Sequence, residues 1–226
     1  MTDASEQPRA FKVQMIIGST RPDRAAEPVA RWAARRIGEH GSFDLEVLDL
    51  RDWPLPMFTE TIHSIGDIRD PSYSDPIVKR WNAKIAEADA YVMITPEYNH
   101  SISGVLKNAI DNVFVSYAFR NKPALFIGYS GGVVGGARAV EQLALIAIEA
   151  ELVPLRNAVL VGEVPVAFDD DGEPVAPLVD ISMTVGLDDL AWWASATKAA
   201  RAGGELTPGT FRRRAALAAR TAPAPS

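Results

Sequence analysis

The stretch TPEYNHSISGVLKNAIDNVF (residues 95–114) decides the fold, and it directly follows the apolar run AYVMI. The apolar run has the length and composition of a buried strand, whereas residues 103–114 repeat apolar side chains at helical spacing. Between them lies a turn of Pro, Glu, Tyr, Asn, His and Ser, far more polar than a plain connection needs. The stretch therefore predicts a buried strand, a specialised turn and a helix in immediate succession.

Short apolar segments and helical patterns alternate along the rest of the chain. Four further segments predict strands, namely FKVQMIIG, FDLEVLDL, PALFIGYS and VPLRNAVLVG (residues 11–18, 43–50, 123–130 and 153–162). Further helices are predicted at about residues 24–37, from Asp75 and Pro76 onward, at 137–151 and at 184–202. Nearly continuous apolar strands separated by helices are typical of a parallel sheet that is covered on both faces.

Right-handed crossovers leave few ways to arrange such units, and doubly wound sheets dominate among them. We therefore expect an α/β fold, a doubly wound five-stranded parallel sheet with helices on both faces, formed by a single domain of residues 1–204. Residues 205–226 (ELTPGTFRRRAALAARTAPAPS) form a basic, Ala/Pro-rich C-terminal tail. We expect this tail to be mobile or docked on a partner.

Composition narrows the possible functions. The 226 residues are 47% hydrophobic and 23% charged, as in an ordinary soluble globular protein, and the net charge of -6 argues against nucleic acid as the main partner. The chain has no cysteine, which excludes disulfides and thiol chemistry, and its three histidines argue against a metal site. The N-terminus is polar, and no apolar run reaches about 18 residues. We expect no membrane span and a cytoplasmic location.

In an open doubly wound sheet, ligands bind at the carboxyl ends of the strands, where three chemically unusual loops follow the predicted strands. The first is GSTRPDRAAEP (residues 18–28), in which Ser19 and Thr20 supply hydroxyls and Arg21 and Arg24 supply guanidinium groups before a helix N-terminus. Neither a Walker loop nor a dinucleotide fingerprint is present, so a monophosphate fits better. A loop with merely solvated arginines remains the alternative.

The second loop is the polar turn of the opening stretch. Its side chains and backbone amides suit a flat heteroaromatic ring that carries donors and acceptors, although a plain polar surface turn is the alternative. The residues concerned are Pro96, Glu97, Tyr98, Asn99, His100 and Ser101. Pro96 should end the strand ladder, and Ser101 or Ser103 can cap the helix that follows.

The third loop is YSGGVVGGARA (residues 129–139), whose glycines let the backbone approach a ligand closely. Its spacing does not match G-x-G-x-x-G, so a flexible loop before a helix remains open as an alternative. A further segment, FDDDGEP (residues 168–174), has the acids of a calcium loop in the wrong order, and a hairpin-type turn around Asp171 and Gly172 is the better interpretation.

Together, GSTRPDR, PEYNHSISGVLKNAIDNV and the SGG turn resemble the NADPH-dependent FMN reductase family of flavodoxin-like proteins. This family also contains enzymes described as quinone, azo-dye and chromate reductases, and the match runs from about residue 11 to 165. The resemblance implies a flavodoxin-like strand order of 2-1-3-4-5. It also implies FMN as cofactor, NADPH or NADH as hydride donor, and a homodimer or homotetramer.

The resemblance implies specific cofactor contacts. In the family pattern the first loop binds the FMN phosphate, the second lines the isoalloxazine ring and the third closes its other side. The implied residues are Ser19, Thr20, Arg21 and Arg24; Pro96, Glu97, Tyr98, Asn99, His100 and Ser101; and Ser130, Gly131 and Gly132. Many relatives have a hydroxyl or amide where this chain has Ala25 and Ala26, so binding would rely more on the arginines and backbone amides. No side chain is expected to act as a catalytic acid or base.

The implied activity is that of an NAD(P)H oxidoreductase, which passes hydride through FMN to free flavin, a quinone or a similar small acceptor in a ping-pong mechanism. The alternative is a flavodoxin-type FMN electron carrier without its own NAD(P)H site, but the T-x-T-G-x-T loop typical of such carriers is absent. A protein of the same fold that has lost its cofactor is a third possibility, since fold does not imply function.

Overall fold

A computed structural model describes residues 10–221. Within this range, six strands and six α-helices alternate along most of the chain, with one short 3-10 helix at Val164–Val166. The strands are β1 (Phe11–Ile17), β2 (Phe43–Asp49), β3 (Ala90–Pro96), β4 (Pro123–Tyr129), β5 (Val153–Pro154) and β6 (Val159–Val161). The helices are α1 (Ala26–His40), α2 (Pro76–Ala86), α3 (Gly104–Phe114), α4 (Ala137–Glu149), α5 (Pro177–Ala202) and α6 (Gly209–Thr221).

The strands form one parallel sheet with the order β2-β1-β3-β4-β5, as the sequence predicts, and β6 also pairs with β4. The predicted fifth strand is therefore split into two short strands, β5 and β6, which both pair with β4. Pro154 has no N–H to donate to a ladder, and it ends the first piece. Pairing resumes only at Val159, opposite Ile127.

Apolar side chains alternate between the two faces of the sheet and create two core layers. On one face, residues such as Met15, Val92 and Ile127 belong to an apolar cluster with α1 and α5. On the other face, Ile16 and Met93 belong to a cluster with α2, α3 and α4. Burial on both faces explains why the strands are continuous apolar runs.

The predicted helix starts agree with the structure, except for the last long helix. Asp75 caps α2 by accepting a hydrogen bond from the amide of Ile77 at 2.9 Å, and Ser103 caps α3 through the amide of Leu106 at 3.2 Å. Helix α5 begins at Pro177, seven residues before the predicted start at 184. Its first turns expose Leu178, so they lack the buried apolar pattern that signals a helix.

The predicted tail contains a helix. Residues of α6 are exposed apart from its partly covered first turn, where the Phe211 ring lies 6.1 Å from that of Tyr117. The tail is also anchored by a hydrogen bond from the Asn121 side chain to Glu205 at 2.9 Å. Residues 222–226 lie outside the described residues, and the division of the chain at residue 204 stays a prediction. No helix within residues 10–221 is long and apolar enough to cross a membrane.

The turn predicted around Asp171 and Gly172 is confirmed. Phe168 and Pro174 form an antiparallel bridge, and Gly172 has a φ of 77°, in the left-handed region that favours glycine. The acids of this turn bond to its own backbone, where Asp169 accepts from the amides of Asp171 and Glu173. The described residues contain no group of three or more His, Asp or Glu side chains suited to a metal ion.

Candidate functional site

The three unusual loops converge at the carboxyl edge of the sheet. They follow β1, β3 and β4, which are neighbours, and the winding direction of the sheet reverses between β1 and β3. The Ser19 and Tyr98 hydroxyls, from the first and second loops, lie 3.0 Å apart. The Glu97 amide donates to the carbonyl of Tyr129 at 3.0 Å and thereby joins the second loop to the third.

The first loop presents polar groups beside the amino end of α1. Ser19 is buried, while Thr20 and Arg21 are exposed. The Arg21 guanidinium lies over the Tyr98 ring, 5.7 Å from its centroid. Ala25, the N-cap of α1, makes no side-chain cap hydrogen bond, so the first amides of the helix have no side chain to satisfy them. This end of the helix suits an anion.

The Arg24 guanidinium points into the protein, whereas the sequence suggested that it faces a ligand. Its side chain is 1% exposed and pairs with both carboxylate oxygens of Asp49, at the end of β2, and with Glu27. It also donates to the carbonyl of Ser19. Burial alone would raise the pKa of Asp49, but the hydrogen bonds and charge of Arg24 hold it below its ordinary value. Arg24 therefore shapes the loop from beneath.

The substitution Arg24→Met is expected to lower the free energy of unfolding by about 3 kcal/mol, because it leaves the Asp49 carboxylate without its ion-pair partner. The double variant Arg24→Met/Asp49→Asn should recover part of this loss, since it removes the stranded charge. Urea unfolding at pH 7 measures both, with Arg31→Met, an exposed arginine of α1, as a control that should change little. A single variant as stable as the parent protein, or a double variant that recovers nothing, contradicts the prediction.

The second loop is a tight two-residue turn. Tyr98 and Ser101 exchange hydrogen bonds between their amides and carbonyls at 2.9 and 3.1 Å. Asn99 and His100, at the tip, have φ angles of 52° and 67° and are exposed. Two successive left-handed residues form the type of turn that closes a hairpin. Pro96 is the last residue of β3, so the turn begins where the ladder ends.

Glu97 differs from the other residues of this turn because its side chain is buried and paired with an arginine. Its side chain is 4% exposed and accepts hydrogen bonds from the amide and the guanidinium of Arg138, at the start of α4. Arg138 also lies 3.0 Å from Nε2 of His100, which must accept because the guanidinium only donates. Burial would raise the pKa of Glu97, but Arg138 holds it below its ordinary value. Glu97 is thus an ionised link between the second and third loops.

The third loop leaves its tip open and packs its base tightly. A Cβ atom built on Gly131 or Gly132 would have no heavy atom within 4 Å, so the space over the tip is free for a ligand. Ser130 folds back, and its hydroxyl donates to the carbonyl of Gly132 at 2.9 Å. At the base, Gly136 has a φ of 83°, and a Cβ there would lie 2.5 Å from the amide nitrogen of Tyr129.

Both turns carry exposed residues whose backbone amides are unpaired. The amides of Asn99, His100, Gly131 and Gly132 have no acceptor within residues 10–221. The structure therefore brings all thirteen predicted residues to one edge, with Arg24 and Glu97 engaged by internal partners. A loop with hydroxyls, one exposed guanidinium and a free helix end lies beside two turns with free amides. This arrangement suits a phosphorylated ligand with a flat polar ring.

Sequence reasoning missed several residues that build this edge. Asp49 and Arg138 hold the loops through ion pairs, and Tyr129 presents a buried hydroxyl near the first loop. Asn108 and Asn112, on α3, both donate to the carbonyl of Pro56 and fasten the loop after β2. Arg138 follows the glycine run directly, and Asp49 ends a predicted strand. The positions of Arg138 and Asp49 beside the loops could be read from the sequence, but the residues with which they pair could not.

The sheet order and the three loops define a flavodoxin-like protein. The model of the NADPH-dependent FMN reductase family matches residues 11–165, which is more than half of the chain. The chain therefore belongs to this family, as the loops suggested. Membership supports FMN as the flavin.

Curated relatives agree with this assignment. An NAD(P)H-dependent FMN reductase of Schizosaccharomyces pombe is 36% identical over 136 residues, 60% of this chain and 65% of that protein. An FMN-dependent NADPH-azoreductase of Staphylococcus haemolyticus is 33% identical over 126 residues, 55% of this chain and 63% of that protein. The chain thus spans a little under two thirds of the length of these relatives.

A solved structure shows the same fold. FerB of Paracoccus denitrificans, described as a flavoenzyme NAD(P)H:(acceptor) oxidoreductase, superposes with a TM-score of 0.67. The alignment covers 83% of this chain and 99% of FerB at 24% identity. At this level of identity the likeness supports the fold alone.

Proposed function

We propose that this protein is an FMN-dependent NAD(P)H oxidoreductase, which passes hydride from a nicotinamide nucleotide through FMN to free flavin, a quinone or a similar small acceptor. The observation that carries the proposal is the convergence of the three loops at one sheet edge, in a chain of the FMN reductase family. The donors fit the cofactor, because anion-binding groups lie on one side and free amides on the other.

Each loop has its own task in this proposal. Ser19, Thr20 and Arg21 would hold the phosphate with the amino end of α1, while Arg24 holds the carbonyl of Ser19 from beneath. Residues 96–101 and 130–132 would border the flavin ring. FMN, when bound, supplies the hydride chemistry, by accepting hydride from the nucleotide and passing it to the acceptor.

The chain's own chemical contribution is electrostatic. The free amides of Asn99, His100, Gly131 and Gly132 would donate to the polar edge of the ring and favour negative charge there. Glu97 is not a proton donor, since Arg138 keeps it ionised, and His100 uses Nε2 to accept from the same arginine. No side chain of these turns is therefore assigned an acid or base role.

We also propose a ping-pong mechanism, which the exposure of this edge supports. The tips of both turns are exposed. One open face would then serve the nucleotide and the acceptor in succession. We also propose that two or four copies assemble. Helix α4 supports this, because its apolar side chains Leu145 and Ile148 are 63% and 58% exposed. Neighbouring exposed apolar side chains of this kind are typical of a surface on which another subunit packs.

The first experiment is the visible spectrum of the purified protein, followed by anaerobic addition of NADPH or NADH. We expect tight FMN binding, bleaching of the bound flavin by the nucleotide, and parallel double-reciprocal plots with a quinone as acceptor. Arg21→Gln should weaken FMN binding about 10-fold or more, whereas Arg80→Gln, an exposed arginine of α2, should not. A protein that cannot be loaded with FMN contradicts the proposal, and one that binds FMN but is not bleached is an electron carrier.

A further inference from the structure

Tyr129 is a buried polar residue that the site described above leaves without a role. It is the last residue of β4, it is 4% exposed, and it pairs in the sheet with Pro96. Its ring belongs to the apolar cluster on the α1 face of the sheet, together with Ile17 and Val164. The side chain thus lies beneath the loop that follows β1, on the face where α1 begins.

The Tyr129 hydroxyl has no hydrogen-bond partner within the described part of the chain. Buried polar groups nearly always have a partner, so an unpaired hydroxyl at the edge where the loops converge is a candidate donor to a ligand atom. The nearby Ser19 hydroxyl already lies at hydrogen-bond distance from that of Tyr98. Ser19 lies close enough to lower the pKa of Tyr129 through hydrogen bonding, but the two hydroxyls do not meet the geometry of a normal hydrogen bond, which leaves the Tyr129 hydroxyl without a regular partner in the described chain.

The charges around Tyr129 identify the kind of ligand atom. Arg21 and Arg24 both lie close enough to influence its titration, and Tyr98 lies on the same side. Burial raises the pKa of Tyr129 to about 12, so the phenol keeps its proton and can donate. A proton donor near the exposed Arg21 guanidinium and a helix N-terminus suits an anionic oxygen.

We propose that the Tyr129 hydroxyl donates a hydrogen bond to the phosphate of bound FMN and thereby helps the site to select FMN over unphosphorylated flavin. The inference rests on the proposed function, because it assigns a further residue to the same cofactor. It adds a donor from β4 to a phosphate site otherwise built from the loop after β1. Ser19, Arg21 and Tyr129 then surround the phosphate from two strand ends.

The test compares the apoproteins of the parent, of Tyr129→Phe and of Tyr117→Phe. Tyr117 lies beyond the carboxyl end of α3, at the opposite edge of the sheet, and serves as the matched control. Fluorescence titration measures the Kd of each for FMN and for riboflavin. We expect Tyr129→Phe to raise the Kd for FMN about 10-fold or more and to leave the Kd for riboflavin unchanged. Tyr117→Phe should change neither.

A second readout does not depend on activity. Because the hydroxyl is unpaired without ligand, apo Tyr129→Phe should unfold at the same urea concentration as the apo parent, or a higher one. An unchanged Kd for FMN, equal weakening of FMN and riboflavin, or a less stable apoprotein overturns the inference. If the parent protein itself binds no FMN, the proposed function falls and takes this inference with it.

Discussion

Gly136→Ala is expected to destabilise the protein by about 2–5 kcal/mol and to weaken FMN binding. The residue has a φ of 83°, which costs an L-residue roughly 1–2 kcal/mol. Its new methyl group would lie 2.5 Å from the amide nitrogen of Tyr129 and 2.8 Å from the carbonyl carbon of Gly128. These are backbone atoms of β4 and cannot turn away, so overpacking adds about 1–3 kcal/mol. The third loop would shift away from the sheet.

Gly172→Ala separates the two parts of this effect. Gly172 has a similar φ of 77°, but nothing lies within 4 Å of the position of its Cβ. It should therefore lose only about 1–2 kcal/mol, from backbone strain alone. Urea unfolding of both variants measures the difference, and FMN titration should show weakened binding for Gly136→Ala alone. Equal losses of stability in the two variants would show that the close packing at Gly136 is not tight.

Lys122 should make stability depend on pH in an alkaline range where few other groups change. Its amine is buried and donates to the carbonyls of Ile85, Ala86 and Ala118 at 2.8–3.1 Å, and to the hydroxyl of Tyr91 at 3.2 Å. Burial lowers its pKa from 10.5 to about 7. The unfolded chain therefore holds this proton more tightly than the folded protein.

The sign of the pH effect follows from this difference. Stability relative to the variant Lys122→Met should rise as the pH increases from about 7 toward 10.5, by up to about 1.4 kcal/mol per unit. The four oxygen acceptors of Lys122 favour its charged form. About 4 kcal/mol is therefore the upper limit for the rise in stability over three pH units. Urea unfolding at several pH values measures this, with Lys79→Met, an exposed lysine of α2, as the control. Parallel pH curves for Lys122→Met and the parent protein would refute the prediction.

Most of the fold could be predicted from the sequence because burial leaves a direct mark on it. Strands covered on both faces are largely apolar, and residues 90–94 show this without interruption. Caps such as Asp75 and Ser103 act over two or three residues, so they are visible locally. The start of α5 and the break in the fifth strand were missed. The first turns of α5 expose their apolar residues, and the break in the fifth strand depends on a single proline within an apolar segment.

The candidate site was predictable only as a set of loops. Parallel strands bring their carboxyl ends together, so the positions of Ser19 and Tyr98 followed from the fold. The pairing of Arg24 with Asp49, and of Glu97 with Arg138, joins residues 25 and 41 positions apart. Such pairs depend on side-chain directions that periodicity does not encode. From the sequence, an arginine in a phosphate-type loop looks like a ligand, whether it points outward or inward.

The first loop is held in shape by the protein's own side chains. Ser103 donates to the carbonyl of Gly18, Arg24 to that of Ser19, and Arg51 to those of Arg21 and Pro22. The backbone of the loop is therefore largely fixed when the chain folds, and binding of the flavin requires little further ordering of it. The consequence concerns the rate of flavin binding. We expect the rate of loading to depend on encounter with the flavin and not on rearrangement of this loop, and we expect the apoprotein to keep the same loop conformation.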